Sequence, residues 1–483
     1  MSLRGADVLA RTLAAAGVRQ VFALSGNHVM PVFDAALDAK LSLLHVRHEA
    51  AAVHMADAWG RLTGEPGIAL VTGGPGHANA LGALYTALAA QSPMVLISGH
   101  APLDELGKGA FQEMPQAELA APLTVASWTA RSADTLGADV ARALREARNG
   151  PVHLSVPNDV LDARADSGVS FSAEERPAAT RVPDELLNAK RPLVIAGPAA
   201  MRAHGDNKNI IGMESPRGVN DPSLGKLAEV LAKADVVLLL RKPLDFTLKF
   251  GKAFAPDCRV LRADGPVDLP APRASQEAWF DEVRAALRYR PAEWATLRSK
   301  PGAPLHPLEV CREVKKLLAA PDAVLVADGG EFGQWAQACL EAPRRIINGP
   351  AGSIGSALPF AAAAKLAFPH APVVALLGDG TLGFHLSEID TAVRYGLAYV
   401  AVVGNDACWN AEHQIQLRAY GAARAHGLDL LPTRYGAVAA AMGAHGEDVS
   451  SVNELKAALA RAAAAGKSAL VNVMIERAAA PRY

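Results

Sequence analysis

Residues 376–406, LLGDGTLGFHLSEIDTAVRYGLAYVAVVGND, constrain the fold of this chain more than any other stretch. The apolar run Val373 to Leu377 reads as a buried strand. It stops at Gly378-Asp379-Gly380, which reads as a loop. Leu386, Ile389, Val393 and Leu397 follow at near-helical spacing. A second apolar run, Tyr399 to Val403, ends at Gly404-Asn405-Asp406. The order is strand, glycine loop, helix, strand, with polar side chains at both strand ends. Parallel α/β sheets bind ligands at that edge. Asp379 and either Asn405 or Asp406 can converge on a hard cation. Mg²⁺ held by so few protein oxygens takes its other ligands from water and phosphate. Loop N–H groups freed by glycine, with a helix N-terminus behind them, suit a diphosphate. The competing reading is a Rossmann-like turn with a purely structural Gly-Asp-Gly.

A chain of 483 residues suits two or three domains rather than one core. Half of the residues are hydrophobic and 20% are charged, so the chain is globular. A net charge of −1, without long basic runs, gives nucleic acid or anionic membranes little to bind. No apolar stretch reaches membrane-spanning length. The first helix, with Asp7 inside it, lacks the apolar core of a signal peptide. Cys258, Cys311, Cys339 and Cys408 are scattered without a CxxC pair, which points to reduced thiols and a cytoplasmic location.

Two stretches rich in proline and charge, 162–188 and 288–306, read as linkers. They divide the chain into domains over 1–165, 186–290 and 303–483. The outer blocks echo each other. GIALVTGGPGHANALGALYTALAAQSPMVLISGH repeats the strand, glycine loop, helix, strand order of the 373–406 stretch, as an ancient duplication would. Pro192–Ala196 and Val236–Leu240 read as strands of the middle block and Leu224–Ala234 as its helix. In the first block Glu49 follows an apolar strand and opens a helix. A Glu there is favoured by the helix dipole whatever else it does.

The Gly-Asp-Gly segment, with Asp406 standing 27 positions after Asp379, resembles the diphosphate motif of thiamine-diphosphate (ThDP) enzymes. RHEAAAVHMADAWGRLTG, containing Arg47, His48 and Glu49, resembles the helix that carries the activating glutamate in the decarboxylase and carboligase branch. The resemblance covers nearly the whole chain, closest to acetolactate synthases, benzaldehyde lyases and 2-hydroxyacyl-CoA lyases. It implies three doubly wound parallel-sheet domains in the order pyrimidine-binding, middle, diphosphate-binding. The middle one is shortened: Arg191 to Arg290 is only about 100 residues. AMRAHGDNKN replaces the expected long helix, which argues against binding of FAD or ADP there.

The resemblance also implies roles. Glu49 would hydrogen-bond the pyrimidine ring nitrogen and drive imino formation, since burial lets a carboxyl share a proton near neutral pH. Asp379, Asp406 or Asn405, and the backbone carbonyl near Cys408 would hold Mg²⁺. Gly378, Gly380, Thr381 and Asn405 would cradle the diphosphate. Ile354 would prop the bent cofactor, with Gly352 accepting from its amino group and Gly74 lying in the TxGPGxxN segment. His28, at a strand end, and Gln112, in the FQE segment with Phe111 and Glu113, would act on substrate. His77, His100 and His413 lie in matched segments, and Trp409 to His413 would line the substrate pocket. The family's second metal ligand is usually Asn, so Asp406 is a departure.

The implied activity is carbon–carbon bond cleavage or ligation of 2-hydroxy ketones, 2-hydroxyacyl compounds or 2-keto acids through a covalent enamine. An acetolactate-synthase-like keto-acid enzyme is the alternative, and a non-catalytic relative the second. The short C-terminal tail argues against a CoA thioester. Family resemblance further implies a homodimer or homotetramer, with each site built from two subunits.

Overall fold

The computed structural model describes residues 3–166, 168–169, 179–204, 209–269 and 271–482. Its contacts gather into two compact units. The first comprises Met1–Glu175, Leu358–Pro369 and His385–Leu397, and the second the remainder.

The first unit is built on a six-stranded sheet. Its strands are β1 (Gln20–Ala23), β2 (Ser42–His45), β3 (Gly67–Val71), β4 (Met94–His100), β5 (Ala126–Thr129) and β6 (Val152–Pro157). Their spatial order is β2-β1-β3-β4-β6-β5, every pairing parallel. Parallel strands covered on both faces read as continuous apolar runs, and β3 and β4 are buried along their whole length. Ile68, Leu70, Val95, Ile97 and Leu154 meet Leu9, Leu13, Leu136 and Val140 in one core. Helix α1 (Glu49–Thr63) follows β2, and α2 (Pro75–Ala89) follows β3.

The second unit holds two larger sheets, beside a two-stranded pairing of Thr180–Arg181 with Val267–Asp268. The smaller, in the middle block, has four parallel strands: β7 (Pro192–Ala196), β8 (Ile210–Gly212), β9 (Val236–Leu240) and β10 (Arg259–Ala263), ordered β8-β7-β9-β10. The larger contains β11 (Val324–Ala327), β12 (Arg344–Ile347), β13 (Val373–Gly378), β14 (Val400–Asn405), β15 (His445–Val449) and β16 (Ala469–Met474). Its order is β12-β11-β13-β14-β16-β15, again all parallel. This repeats the order of the first sheet strand for strand. The echoing segments occupy the same third and fourth positions in each, as duplication requires.

Several expectations need correction. Gly378-Asp379-Gly380 is not an open loop. Helix α3 (Gly330–Cys339) follows β11, and α4 (Asp379–His385) starts at Asp379 itself. Thr381 Oγ1 donates to the Gly378 carbonyl at 3.0 Å, and an acidic residue in a first turn favours a helix start. The chain breaks at Leu386-Ser387 and resumes as α5 (Glu388–Arg394), so the expected helix is two. The Leu224–Ala234 helix shrinks to Leu227–Leu231. Residues 288–306 are docked: the Trp294 ring packs at a tilt against Trp335, centroids 5.2 Å apart, and Arg312 donates to the Leu297 carbonyl at 2.6 Å. Within the other expected linker, residues 167 and 170–178 lie outside the described residues, as do 205–208 of AMRAHGDNKN.

Candidate functional site

In the first unit the chain turns from β2 through His48, which caps α1 by accepting from the Ala50 N–H at 3.1 Å. The approach is held from behind by buried Glu388 on α5, which accepts from the Arg47 N–H at 3.0 Å. Glu49 is thereby fixed in the first turn, 9% exposed. Its Oε2 accepts from Asn79 Nδ2 at 3.0 Å. Its Oε1 faces Gly76, where a Cβ would lie only 3.3 Å away. His28 is buried on the single 3₁₀ turn Asn27–Val29 that follows β1, with Nδ1 3.4 Å from Thr72 Oγ1. Burial, reinforced by His100, lowers its pKa, which favours the neutral ring. His100 Nε2 faces the Met114 carbonyl at 3.1 Å. His77 is fully buried against Ser98 at 2.8 Å, and burial pushes its pKa down to about 4. Gln112 takes a left-handed backbone, φ +58°. Its carbonyl and Cβ lie against Gly74. Phe111 is exposed and Glu113 caps its own loop through Gly109 and Ala110.

In the second unit the ends of β11, β13 and β14 surround a cavity of about 200 Å³. Gly352, Ile354, Gly378, Asp379, Gly380, Thr381, Asp406, Cys408 and Trp409 line it, together with Asn410, Ala411 and Glu412 from the start of α6 (Asn410–Tyr420). Burial pushes the Asp379 carboxyl up to about 6, although backbone N–H groups of Gly380, Ala407 and Cys408 oppose the shift. Its Oδ2 is buried without a hydrogen-bond partner. Burial and then the neighbouring Asp379 push Asp406 up to about 7. The turn carrying Asp406 is strained at Ala407, φ +51°. Arg477 clamps it by donating to the Asp406 and Ala407 carbonyls at 3.1 and 2.9 Å. Glycine is required at 380: a Cβ there would come within 2.8 Å of the Trp409 ring. His413 sits one turn into α6, its Nδ1 buried without a partner.

Asn405 does not face this cavity. Its Nδ2 donates to the Thr433 carbonyl at 2.9 Å and to Asn472 Oδ1 at 3.2 Å, while its Oδ1 accepts from the Ala407 N–H at 3.1 Å. The amide is consumed inside the sheet edge, so of the two neighbours only Asp406 lines the cavity. This corrects Asn405 as a metal or diphosphate ligand.

The donor set fits a hard cation bridging to a phosphate. Two carboxylates share a small cavity, one oxygen is orphaned, and glycines leave room beside the first turn of α4. Among the described residues no group of three His, Cys, Asp or Glu could hold a metal. The remaining ligands of a cation here must therefore be carbonyl, water or phosphate oxygen.

Four contributors escaped the sequence reading. Asp328, fully buried, accepts from the N–H groups of Gly329, Gly355 and Ala357 at 2.7, 3.0 and 3.1 Å and so shapes the Ile354 loop. Glu331 lines the cavity, pairs with Arg217 at 3.6 Å and accepts from the Ala480 N–H of the C-terminal tail. Arg477 holds the metal-side turn. Gln116, rather than Gln112, is the buried glutamine of its segment. Asp328 alone left a signal, as an Asp directly after an apolar strand.

A duplicated pair of parallel sheets with a polar, glycine-lined cavity at one strand edge is the frame of a cofactor-dependent α/β enzyme. Residues 3–119 match the profile "Thiamine pyrophosphate enzyme, N-terminal TPP binding domain", and residues 328–473 match the corresponding C-terminal TPP binding domain. The chain is 33% identical to a probable acetolactate synthase of Mycobacterium bovis over 98% of its own length and 96% of the relative's. It is 28% identical to 2-hydroxyacyl-CoA lyase 2 of Danio rerio over 98% and 91%, and 27% identical to the catabolic acetolactate synthase of Raoultella terrigena over 98% and 95%. The chain belongs to the thiamine pyrophosphate enzyme family, and is a ThDP-dependent carbon–carbon lyase or transferase. The mycobacterial alignment runs over 531 residues against 483 in this chain, so the relative contains segments absent here.

Proposed function

We propose that this enzyme cleaves and forms the carbon–carbon bond next to the carbonyl of 2-hydroxy ketones, 2-hydroxyacyl compounds or 2-keto acids. The observation that carries the cofactor assignment is the orphaned Asp379 oxygen in a glycine-lined cavity beside Asp406. Asp379, Asp406 and the backbone carbonyl of Cys408 would hold Mg²⁺. The N–H groups around Gly378, Gly380 and Thr381 would bind the diphosphate, and Ile354 and Gly352, which line the same cavity, would meet the rings. When bound, ThDP supplies the electron sink for carbanion charge. Glu49, its Oε2 held by Asn79, would share a proton with the pyrimidine ring nitrogen of the bound cofactor. His28, neutral and tethered at Nδ1 near Thr72, moves a proton at the substrate oxygen through Nε2. Gln112 lies within the same loop cluster.

Titrating apo-protein with ThDP calorimetrically, with and without Mg²⁺, tests this reading. Binding that requires Mg²⁺ and disappears in Asp379→Ala supports it; Mg²⁺-independent binding of equal strength in both proteins refutes it. The likeness to acetolactate synthases favours a second reading, condensation of two 2-keto acids. Incubation with pyruvate separates the two: an acetolactate product selects the second, whereas cleavage of benzoin-type or 2-hydroxyacyl donors selects the first. A homodimer or homotetramer is also proposed. Exposed Ile415, Tyr420 and Leu431, at 53, 65 and 79%, supply apolar surface in the second unit. A cytoplasmic location is consistent with four free cysteines.

A further inference from the structure

Three strand ends meet in the first unit without room for side chains between them. A Cβ on Gly26 would lie 2.3 Å from Thr72 Cβ, one on Gly99 2.6 Å from His28 Cβ, and one on Gly73 2.8 Å from the Gly99 carbonyl oxygen. Such packing fixes how closely the loops approach, but gives their peptide groups no direction. One side chain does. Gln116, 1% exposed, accepts from the Gly74 N–H at 2.8 Å. Its Nε2 donates to the Gly99 carbonyl at 3.0 Å and to Ser155 Oγ, on β6, at 2.8 Å. An amide has two N–H donors and one carbonyl acceptor, and all three functions are engaged. No carboxylate or aliphatic side chain of that length reproduces them.

The peptide held in this way needs holding. Gly74 has φ +57° and ψ −113°, a conformation closed to other residues. It precedes Pro75, the first residue of α2. Two residues on, Gly76 abuts Glu49 Oε1, and Asn79 in the same helix donates to Glu49 Oε2. Thr72, before the turn, faces His28. We propose that Gln116 is a positioning residue for cofactor activation. It orients the Thr72–Gly76 wall, which confines Glu49 on one side and His28 on the other, while touching neither substrate nor cofactor. The proposal rests on the role assigned above to Glu49.

The test compares holoenzymes of wild type, Gln116→Leu, Ser155→Ala and Glu49→Gln. The readout is exchange of the cofactor's C2 proton into deuterium oxide, read by acid quench and proton NMR. ThDP dissociation constants and melting temperatures are measured alongside. Glu49→Gln loses exchange. Gln116→Leu is expected to slow it by about 10-fold to 100-fold, the scale of a buried group losing its hydrogen-bond partner, with the dissociation constant unchanged. Ser155→Ala, which removes one arm only, slows it by a smaller factor and decides the matter if Gln116→Leu does not fold. Wild-type exchange in Gln116→Leu, or in a folded Ser155→Ala where Gln116→Leu fails to fold, beside a silent Glu49→Gln, overturns the proposal and leaves the reading of Glu49 standing. Loss of exchange in strict proportion to weakened ThDP binding also overturns it, because a merely structural residue behaves that way. Wild-type exchange in Glu49→Gln overturns the Glu49 reading and this proposal together.

Discussion

Asp328→Asn should change stability with a sign that depends on pH. The Asp328 side chain is fully buried and its pKa is pushed from 3.8 up to about 6 by that burial, against three stabilising N–H contacts. The folded state therefore retains a proton that the unfolded chain has released. Stability falls as pH rises wherever the folded state binds more protons. The wild type is thus most favoured below pH 3.8 and loses stability up to about pH 6. At about 1.4 kcal/mol per unit, the loss totals about 3 kcal/mol. Asparagine does not titrate there. It keeps one acceptor oxygen but turns an NH₂ toward the Gly355 or Ala357 N–H, which costs about 1–3 kcal/mol. The variant should be less stable than wild type by about 2 kcal/mol near pH 4, and the gap should close or reverse by pH 7.5. Urea midpoints followed by tryptophan fluorescence at several pH values measure this. A gap that stays flat, or widens as pH rises, would refute the reasoning. The loop it shapes carries Ile354, so ThDP affinity should weaken at both pH values.

Asp406→Asn should weaken Mn²⁺ or Mg²⁺ binding in the ThDP complex by roughly tenfold, about 1.4 kcal/mol, by removing one ligand charge; paramagnetic titration with Mn²⁺ reads this. Its neighbour behaves oppositely. Asn405→Ala should lower the melting temperature, through a loss of about 1–3 kcal/mol as the partners at Thr433, Asn472 and Ala407 go unpaired. Its direct effect on the metal should be smaller than that of Asp406→Asn. Arg477→Ala should free the strained Ala407 turn and weaken the metal without altering its ligands. Equal metal affinity in Arg477→Ala and wild type, measured in the same titration, would contradict the clamp.

Much of the fold was legible because parallel strands buried on both faces leave unbroken apolar runs, as in Val373–Leu377 and Val236–Leu240. The passage from strand to helix at Glu49 was legible because an apolar strand stops just before it; the helix start at Asp379 was not, because its flanking glycines read as a loop. Nor was Gln116. Gln112 lies in a loop and Gln116, four residues on, opens the short helix Gln116–Ala120, with too few turns for a period to say which glutamine turns inward. The choice depends on a left-handed backbone at Gln112 and on Ser155, 39 residues further on. The docked state of 288–306 was hidden for a similar reason. Its prolines mark a segment without regular structure, but the Trp294 and Trp335 rings that seat it come from separate stretches.

The ambiguity between Asn405 and Asp406 has a geometric resolution. Successive side chains on a strand point to opposite faces, so the two cannot both enter one cavity from the end of β14. Which one does depends on where the strand ends relative to its neighbours. Asn405 is the last paired residue, in register with Met474 on β16, and its side chain joins Asn472, two residues back on that strand. Asn472 in turn donates to Asp448 of β15 at 2.9 Å. This polar ladder across three strands needs an amide at 405, because its Nδ2 donates while its Oδ1 accepts. An aspartate there would face the Thr433 carbonyl without a proton to offer. Asp406, one step beyond the ladder and opposite Asp379, meets no such demand. A one-residue slip of β14 would exchange the two, burying a carboxylate among carbonyls. The chain's departure from the family's usual asparagine is therefore confined to the residue that can carry a charge.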